Sequence, residues 1–199
     1  MSKNSCNIFL VRHGETLWNL EKRWQGSKNS PLSPLGEKQA RQAKEKLLRY
    51  NIDVAYVSSL KRTQDTSDII LKNRAIKVEI LDGIQEINMG EWEGKTQNEV
   101  QLTYPNELDL FLNSPESFSI KGAETYLEVQ SRVVKSLEYI SASHKNTNVL
   151  VVSHGVAIKV ALAHYCLIPL CELSTMDNPQ NGSIICLRLG ENAVGINEI

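Results

Sequence analysis

The stretch that most constrains this chain is Ile8–Val11, an apolar run that leads directly into Arg12–Gly14. A short, unbroken apolar run that is closed by a glycine predicts a strand buried on both faces of a sheet. Val149–Val152 leads in the same way into Ser153–Gly155. Because ligands of open α/β sheets bind outside the carboxyl ends of the strands, we expect these two strands to deliver two histidines to one pocket.

The rest of the chain alternates helical patterns with short strands. Ser33 followed by Pro34 predicts a helix start, with serine as the N-cap and proline at the first helical position. This helix is expected to run to about Tyr50, with its inward side formed by Leu35, Ala40, Ala43, Leu47 and Leu48. Further strands are predicted at Asp53–Ser58, at Lys77–Leu81 and, as the last strand, at Ile184–Leu189, and further helices through Thr66 and Ile70, from Gly122 to about Ser143 and from Val156 to about Cys166. The alternation predicts an α/β fold, a three-layer α/β/α sandwich with a mostly parallel central sheet.

One segment departs from this alternation. From Ile87 to Ser119 glycines and prolines interrupt the pattern, and a few aromatic residues give it some apolar content. We expect it to form a small helical cap, an insertion over roughly residues 87–120. No repeat, linker or low-complexity tract divides the chain, so a single domain over residues 1–199 is expected.

Composition excludes several function classes. The net charge of −1 gives no bulk attraction to nucleic acid or to a membrane surface, so neither partner is expected. The apolar run near the N-terminus is too short for a signal peptide or a membrane span, which predicts a cytoplasmic location. The cysteines show no paired metal-binding spacing and are interpreted as buried thiols in a reducing compartment: Cys6, Cys166, Cys171 and Cys186.

His13 is the strongest candidate for chemistry at the end of the first strand. A neutral imidazole is a competent nucleophile toward phosphorus. Arg12 can hold a pair of anionic oxygens in its planar fork, and Gly14 allows the backbone to approach a ligand closely. Nearby arginines favour the neutral imidazole, because like charge lowers a histidine pKa. The alternative is a histidine that simply satisfies its hydrogen bonds in the core.

Three further positions resemble His13 in lying beside strands or apolar segments. His154 and Gly155 open a helix whose backbone N–H groups can bind an anion. Arg62 stands just past a strand, where a cation opposes the helix dipole unless an anion is bound. Glu86 lies among apolar and small residues, where a glutamate can act as a general acid near neutral pH. The structural alternatives are a histidine that ends a strand, a surface arginine and a solvated loop carboxylate.

Taken together, these motifs resemble the histidine phosphatase superfamily, in the branch that includes the cofactor-dependent phosphoglycerate mutases. The resemblance spans almost the whole chain in the family's order. The matching motifs are Arg12–Thr16 with Trp18-Asn19, Gln25-Gly26, Pro31–Gly36, Ser58–Thr66, Gln85–Ile87, Gly122–Thr125 and Ser153–Gly155. A phosphoglycerate mutase-like fold is therefore expected.

The resemblance also implies a role for each site residue. His13 is implied to be the nucleophile that becomes phosphohistidine, and Glu86 the proton donor to the leaving oxygen and then the base that activates water. The residues implied to bind the phosphate are Arg12, Asn19, Gln25, Gly26, Arg62, His154 and Gly155. Arginines, a histidine and a helix N-terminus supply positive charge, so neither a metal nor another cofactor is expected.

The family divides between phosphatases and mutases, and the cap favours a phosphatase. Mutases of this family carry a longer insertion here, with basic residues that hold a doubly phosphorylated acid. In this chain Lys95 is the only basic residue between Ile87 and Ile120, beside six acidic residues. Acidic side chains close to a polyanion would repel it, so we predict a phosphomonoesterase that acts on a small phosphorylated metabolite.

Several alternatives stay open on the sequence. Lys22, Arg23 and Lys28 are expected near the pocket mouth and favour the mutase. A phospho-ligand binding or regulatory module without turnover would be expected to lack catalytic residues that are all present here, and a zinc hydrolase built on the two histidines is less favoured. Asn29 replaces an aspartate found in many relatives, which removes a charge near the mouth. The sequence leaves the substrate open, and it does not distinguish a monomer from a homodimer.

Overall fold

The computed structural model describes residues 5–190 and 193–199, and a six-stranded sheet lies at its centre. The strands are β1 (Cys6–Arg12), β2 (Val54–Val57), β3 (Lys77–Ile80), β4 (Asn148–Ser153), β5 (Ile184–Gly190) and β6 (Ala193–Glu198). Their order across the sheet is β3-β2-β4-β1-β5-β6. The first four strands pair in parallel, whereas β5 pairs antiparallel with both β1 and β6. The predicted mostly parallel sheet is confirmed.

The expectation that Ile184–Leu189 is the last strand is wrong, because the chain turns back and adds β6 at the edge of the sheet. β6 is short, carries a glycine at its centre and has only exposed or partly exposed residues from Val194 onward. An edge strand of this kind needs no continuous apolar face, which explains why the sequence pattern did not indicate it.

Helices cover both faces of the sheet. They are α1 (Leu17–Leu20), α2 (Pro34–Leu47), α3 (Lys61–Leu71), α4 (Gln97–Thr103), α5 (Pro105–Asn113), α6 (Tyr126–Ser143) and α7 (Gly155–Tyr165). Alternate residues of β1 enter separate cores, as the period of two in a strand requires. Ile8 and Leu10 pack in a cluster with α6 and α7, and Phe9 and Val11 pack in a second cluster with α2 and α3.

Helix α2 starts where the sequence predicts and ends earlier. The Ser33 hydroxyl accepts the backbone N–H of Gly36, and Pro34 is the first helical residue. The helix ends at Leu47 rather than near Tyr50. Leu35 and Leu48 are 47% and 54% exposed, so their expected inward position is wrong. The buried stripe of α2 is narrower than the amphipathic pattern suggested.

Helix α6 begins four residues later than the predicted start at Gly122. Its N-cap is Thr125, whose hydroxyl accepts the backbone N–H of Glu128 while the Glu128 carboxylate accepts the N–H of Thr125. This reciprocal capping box satisfies the free donors of the first turn and therefore fixes the boundary. The inward residues expected for this helix are all buried: Tyr126, Val129, Val133, Leu137 and Ile140.

The segment over residues 87–120, which we call the cap, lies between β3 and α6 and contains helices α4 and α5 together with single 3-10 turns at Gly90–Trp92 and Pro115–Ser117. An aromatic cluster attaches it to the body of the protein. The ring of Trp92 is fully buried and lies 5.3 Å from Trp24 and 5.6 Å from Phe111, measured between centroids. Trp92 is therefore a packing residue rather than a platform for substrate.

Two smaller expectations have separate outcomes. None of the helices in residues 5–190 and 193–199 is both long and apolar enough to cross a membrane.

Of the cysteines, only Cys6 is fully buried, whereas Cys166 and Cys171 are exposed. The interpretation of all the cysteines as buried thiols is therefore wrong for these two, which lie at the end of α7 and in the 3-10 turn Leu170–Thr175.

Candidate active site

The register of β1 and β4 brings the two predicted histidines together. Arg12 pairs with Ser153 in the parallel ladder, and the backbone N–H of His13 donates to the Ser153 carbonyl at 3.0 Å. Each strand then ends, and the next side chains are those of His13 and His154. Their ring centroids are 5.3 Å apart. The two strands therefore place the two histidines side by side, but the expectation that both reach one pocket is met only for His13, because His154 does not line the cavity described below.

The hydrogen bonds of His13 fix its reactive nitrogen. Nδ1 lies 2.8 Å from the Gly14 carbonyl oxygen, which can only accept, so Nδ1 carries the proton. The lone pair is therefore on Nε2, which accepts from Arg62 Nε at 3.3 Å. Burial, and then the positive charges of Arg62 and Arg12, hold the pKa of His13 well below its usual value. The imidazole is neutral near pH 7, as a nucleophile must be.

Arg62 is almost fully buried, at the first turn of α3, and the backbone of a loop holds it. Its Nη1 donates to the Lys28 carbonyl at 2.7 Å, and its Nη2 donates to the Gly26 carbonyl at 2.8 Å. Burial lowers the pKa of Arg62 to about 10, so the guanidinium remains charged at neutral pH. The alternative of a surface arginine is wrong.

The loop that holds Arg62 is anchored to the cap by Glu93. The Glu93 carboxylate accepts the backbone N–H groups of Ser27 at 2.6 Å and Met89 at 3.2 Å. Gly26 has a φ of +52°, and a Cβ there would lie 2.1 Å from Glu93 Oε1. Only glycine fits this turn, which explains the Gln25-Gly26 motif through backbone geometry.

Gly14 has a different role from the one expected. A Cβ on Gly14 would lie 2.4 Å from the Gly36 carbonyl oxygen, and one on Gly36 would lie 2.0 Å from the Glu15 carbonyl oxygen. The two glycines therefore allow the N-terminus of α2 to pack backbone against backbone beside the site. Gly14 does not line the cavity described below.

Arg12 is held by a loop that the sequence did not indicate. Its Nη1 donates to the Pro179 carbonyl at 2.6 Å, and Asn181 Nδ2 of the same loop donates to the His13 carbonyl at 2.9 Å. Arg12 Nε is buried without a partner. On its other side the guanidinium packs against Gly155, where a Cβ would lie 3.3 Å from Cζ.

His154 is fully buried and precedes α7 as its N-cap residue. Its Nε2 is hydrogen bonded to the Ser58 hydroxyl at 2.8 Å, and its Nδ1 has no partner. Burial, followed by the charge of Arg62, lowers the pKa of His154 well below its usual value. Unlike His13, it does not line the cavity described below.

Glu86 uses the helix terminus that was expected to bind an anion. Its Oε1 accepts the backbone N–H groups of Ile87 at 3.1 Å and Ala157 at 3.2 Å, and its Oε2 accepts that of Val156 at 3.3 Å. Two amides of the first turn of α7 therefore serve the Glu86 carboxylate. The helix terminus does bind an anion as expected, but at Val156 and Ala157 that anion is the Glu86 carboxylate.

A second set of contacts holds the Glu86 loop, through a residue that sequence reasoning missed. Arg132 of α6 donates to the carbonyls of Gln85 at 2.7 Å and Glu86 at 2.9 Å. It also forms a 2.7 Å ion pair with Glu124. The only sign of Arg132 in the sequence is its position two turns into the helix that follows Glu124. Such a spacing of a glutamate and an arginine is too common to identify a site residue.

These residues open onto a cavity of about 610 Å³. His13 and Arg62, with Arg12 and Glu86 beside them, form what we call the buried end. Asn19, Gln25, Gly26 and Gly155 also line the cavity, as expected. The exposed and half-exposed charged side chains that line it form what we call the rim: Lys22, Arg23, Lys159 and Asp177.

The charges around the cavity differ from the sequence-based expectation. Among the lining residues that the structure describes, Glu86 and Asp177 are the only acidic ones, and none of the six acidic residues of the cap is included. Glu91 instead accepts from the Tyr104 hydroxyl, and Glu99 caps α4. The argument that an acidic cap repels a polyanion therefore loses its basis. Lys28 also lies away from the cavity, with Nζ on the Glu93 carbonyl.

Asn29 has a structural explanation of its own. Its Oδ1 accepts the backbone N–H of Lys61 at 2.8 Å, at the N-terminus of α3, whose N-cap residue Leu60 has no side chain that could do so. The amide therefore caps the helix that carries Arg62. A neutral residue is sufficient for this contact.

Comparison with known proteins shows which protein family has a matching sequence and structure. The profile of the histidine phosphatase superfamily (branch 1) matches residues 8–199. Phosphoserine phosphatase 1 of Hydrogenobacter thermophilus is 36% identical over 167 residues, which cover 84% of this chain and 78% of that protein. A probable phosphoglycerate mutase GpmB of Erwinia tasmaniensis is 29% identical over 184 residues, covering 87% and 86%. The solved structure of Bacillus stearothermophilus YhfR superposes with a TM-score of 0.94 at 29% identity, covering 97% and 96% of the two chains.

Proposed function

This chain belongs to branch 1 of the histidine phosphatase superfamily and is a phosphomonoester hydrolase of that family, and we propose that it cleaves small phosphorylated metabolites through a phosphohistidine on His13. One observation carries the proposal. His13 is buried and neutral, its Nδ1 proton is fixed by a carbonyl, and its Nε2 lone pair lies beside a buried guanidinium.

The proposed reaction has two steps. In the first, His13 Nε2 attacks phosphorus while the bond to the ester oxygen breaks, and the leaving oxygen takes a proton from the Glu86 carboxyl group. In the second, the Glu86 carboxylate takes a proton from water, whose oxygen attacks the phosphohistidine and restores the free imidazole. The first step combines general acid catalysis by Glu86 with nucleophilic catalysis by His13. The second step is hydrolysis of the phosphohistidine with general base catalysis by Glu86.

Positive charge at the buried end supports this chemistry. A transferring phosphoryl group spreads negative charge over its equatorial oxygens, and fixed donors around it stabilise that charge. Arg12 and Arg62, which both line the cavity, supply two guanidinium groups. Asn19 lines the same cavity. We propose that these groups make a metal and any other cofactor unnecessary.

Phosphoryl transfer to a second hydroxyl instead of to water is the second candidate function. The observation in its favour is the rim, where Lys22, Arg23 and Lys159 could hold the second anion of a bisphosphorylated acid. The relatives include proteins named probable phosphoglycerate mutase. Hydrolysis is the first choice because the cap lacks the basic insertion that the resemblance associates with mutases.

The test uses 4-nitrophenyl phosphate in the presence of a chelator, with wild-type protein and His13→Ala. We expect phosphate release by the wild type, loss of at least about 10⁴-fold in the variant, and a mass increase of one phosphoryl group on His13 after rapid alkaline quench. Wild-type activity abolished by the chelator would contradict the metal-free route. Interconversion of 2- and 3-phosphoglycerate faster than phosphate release would replace hydrolysis by the mutase reaction.

A further inference from the structure

Helix α7 connects the buried end of the cavity to its rim. Gly155, Val156 and Lys159 all line the cavity, and they lie on one face of the helix at its first turn and the next. Gly155 packs against the Arg12 guanidinium. Because an α-helix rises 1.5 Å per residue, the backbone of Lys159 lies about 6 Å along the axis from Gly155. The cavity therefore extends from the Arg12 guanidinium along α7 to Lys159, and a small substrate whose phosphate is held by Arg12 can reach toward Lys159.

Lys159 is unusual in its surroundings. It is the only Lys, Arg, Asp or Glu in α7, whose other residues are mostly buried and apolar. It is half-buried, and its ammonium group forms no hydrogen bond or ion pair with any residue that the structure describes. Burial lowers its pKa, and the carboxylate of Asp177 acts in the opposite direction. A partly dehydrated charge without a partner costs stability, and an anionic ligand would offset that cost.

The other cations of the rim are less suited to hold a ligand. Arg23 Nε already pairs with Glu21 at 2.5 Å, and its Nη1 donates to the Gly94 carbonyl at 2.9 Å. Lys22 is exposed, so water screens its charge. Among the rim cations, Lys159 alone combines partial burial with an uncommitted ammonium group.

We propose that Lys159 binds a carboxylate of the substrate, so that the preferred substrates are phosphomonoesters of small hydroxy acids and hydroxy amino acids. This inference rests on the proposed phosphatase function and adds the chemical class of the substrate. The phosphate occupies the buried end, and the carboxylate a few bonds away pairs with the Lys159 ammonium. Selectivity for the carboxylate then comes from one residue outside the reacting groups.

The experiment compares two substrates that differ only by a carboxylate, O-phosphoserine and O-phosphoethanolamine. The variant is Lys159→Met, which keeps most of the apolar stem and removes the charge. The matched control is Lys22→Met, at the other lysine that lines the cavity. Because a charge-assisted hydrogen bond is lost, we expect kcat/KM for O-phosphoserine to fall about 10- to 100-fold in Lys159→Met. Activity toward O-phosphoethanolamine should stay within about twofold of the wild type, and Lys22→Met should leave the ratio of the two substrates unchanged.

A binding measurement separates this inference from the proposed reaction. Titration calorimetry in the His13→Ala background measures the affinities of both ligands with and without Lys159→Met, and needs no turnover. Weaker binding of O-phosphoserine alone would support the carboxylate site even if the hydrolysis mechanism were wrong. Equal losses for both ligands, no loss for either, or a selective loss in Lys22→Met would overturn the assignment to Lys159.

Discussion

The buried end and the rim of the cavity belong to one site and are built in different ways. At the buried end, backbone carbonyls hold the reactive side chains: Gly14 holds His13, Pro179 holds Arg12, and Gly26 with Lys28 hold Arg62. At the rim, Arg23 pairs with glutamate side chains, while the ammonium groups of Lys22 and Lys159 form no hydrogen bond or ion pair with the described residues.

This difference separates chemistry from substrate choice. Backbone contacts persist when surface residues change, so on the proposed mechanism the donors at the buried end stay aimed at the phosphoryl group and need no rearrangement during the reaction. Exposed side chains on loops and on one helix can be exchanged with little effect on the fold. The same phosphoryl-transfer site can therefore serve different substrates after a few changes at the rim.

The largest effect is expected at Arg62 of the buried end, and Arg23 of the rim is the matched comparison. Arg62→Ala removes a buried guanidinium beside the proposed phosphoryl site and leaves the carbonyls of Gly26 and Lys28 without their donor. We expect kcat/KM for 4-nitrophenyl phosphate to fall by about 10³-fold or more. Arg23→Ala, at the rim, should cost less than about threefold, because its charge is already paired and exposed to water.

Two controls keep that comparison clear. Arg62→Lys retains the charge without the planar fork and should recover only part of the activity. Unfolding curves of all three variants show whether lost activity follows lost structure. Similar losses of activity in folded Arg62→Ala and Arg23→Ala would contradict the assignment of chemistry to the buried end and of substrate choice to the rim.

An intermediate effect is expected in the dependence of stability on pH. The pKa values of His13 and His154 are lowered in the folded protein, mainly by burial. Below about pH 6.5 the unfolded chain takes up protons at these histidines while the folded protein does not. The free energy of unfolding should therefore fall as the pH decreases from 7 to 5, by up to about 1.4 kcal/mol per pH unit for each histidine.

Urea unfolding at pH 7, 6 and 5 measures this slope. His154→Gln keeps a polar group toward Ser58 and removes one of the two titrating rings, so its slope should be smaller than that of the wild type by one histidine's share. The glutamates whose pKa values are lowered, such as Glu124, lose their contribution only nearer pH 4.5 and below, outside this window. An unchanged slope in the variant would show that His154 is not held neutral by its burial.

The sequence predicted the buried end better than the rim, for a physical reason. His13 and His154 follow unbroken apolar runs, and strands that are buried on both faces have few alternative positions in an α/β sheet. Arg62 could be found because a cation at a helix N-terminus is unfavourable without an anion. In each case a charged or polar residue stands where the local pattern disfavours it, at the end of a buried strand or at a helix N-terminus. Such a position indicates a functional site.

The missed residues depend on contacts between distant segments. Pro179 and Asn181 contact Arg12 and His13 only because β5 pairs beside β1, and their loop has no periodic pattern of its own. The position of Glu86 against α7 depends equally on tertiary packing. Lys159 is the exception, since a single charge in an apolar helix that follows a candidate site is a visible signal.

The smallest effect is expected at Asp177, which tests whether the rim distinguishes neighbouring substrates. Asp177 is exposed, lines the cavity and interacts electrostatically with Lys159. If a substrate carboxylate pairs with Lys159, an ammonium group on the adjacent carbon would lie close to Asp177. O-Phosphoserine carries that ammonium group, and 3-phosphoglycerate carries a hydroxyl group in its place. Asp177→Asn should therefore lower the ratio of kcat/KM for these two substrates by about two- to fivefold, the range of an exposed ion pair. The control is Glu172→Gln. Glu172 is an exposed acid just before the same loop, and because it does not line the cavity, its substitution should leave the ratio unchanged. The same shift in both variants would mean that the acids act through the overall field of the protein, and the rim would then select charge without recognising individual groups.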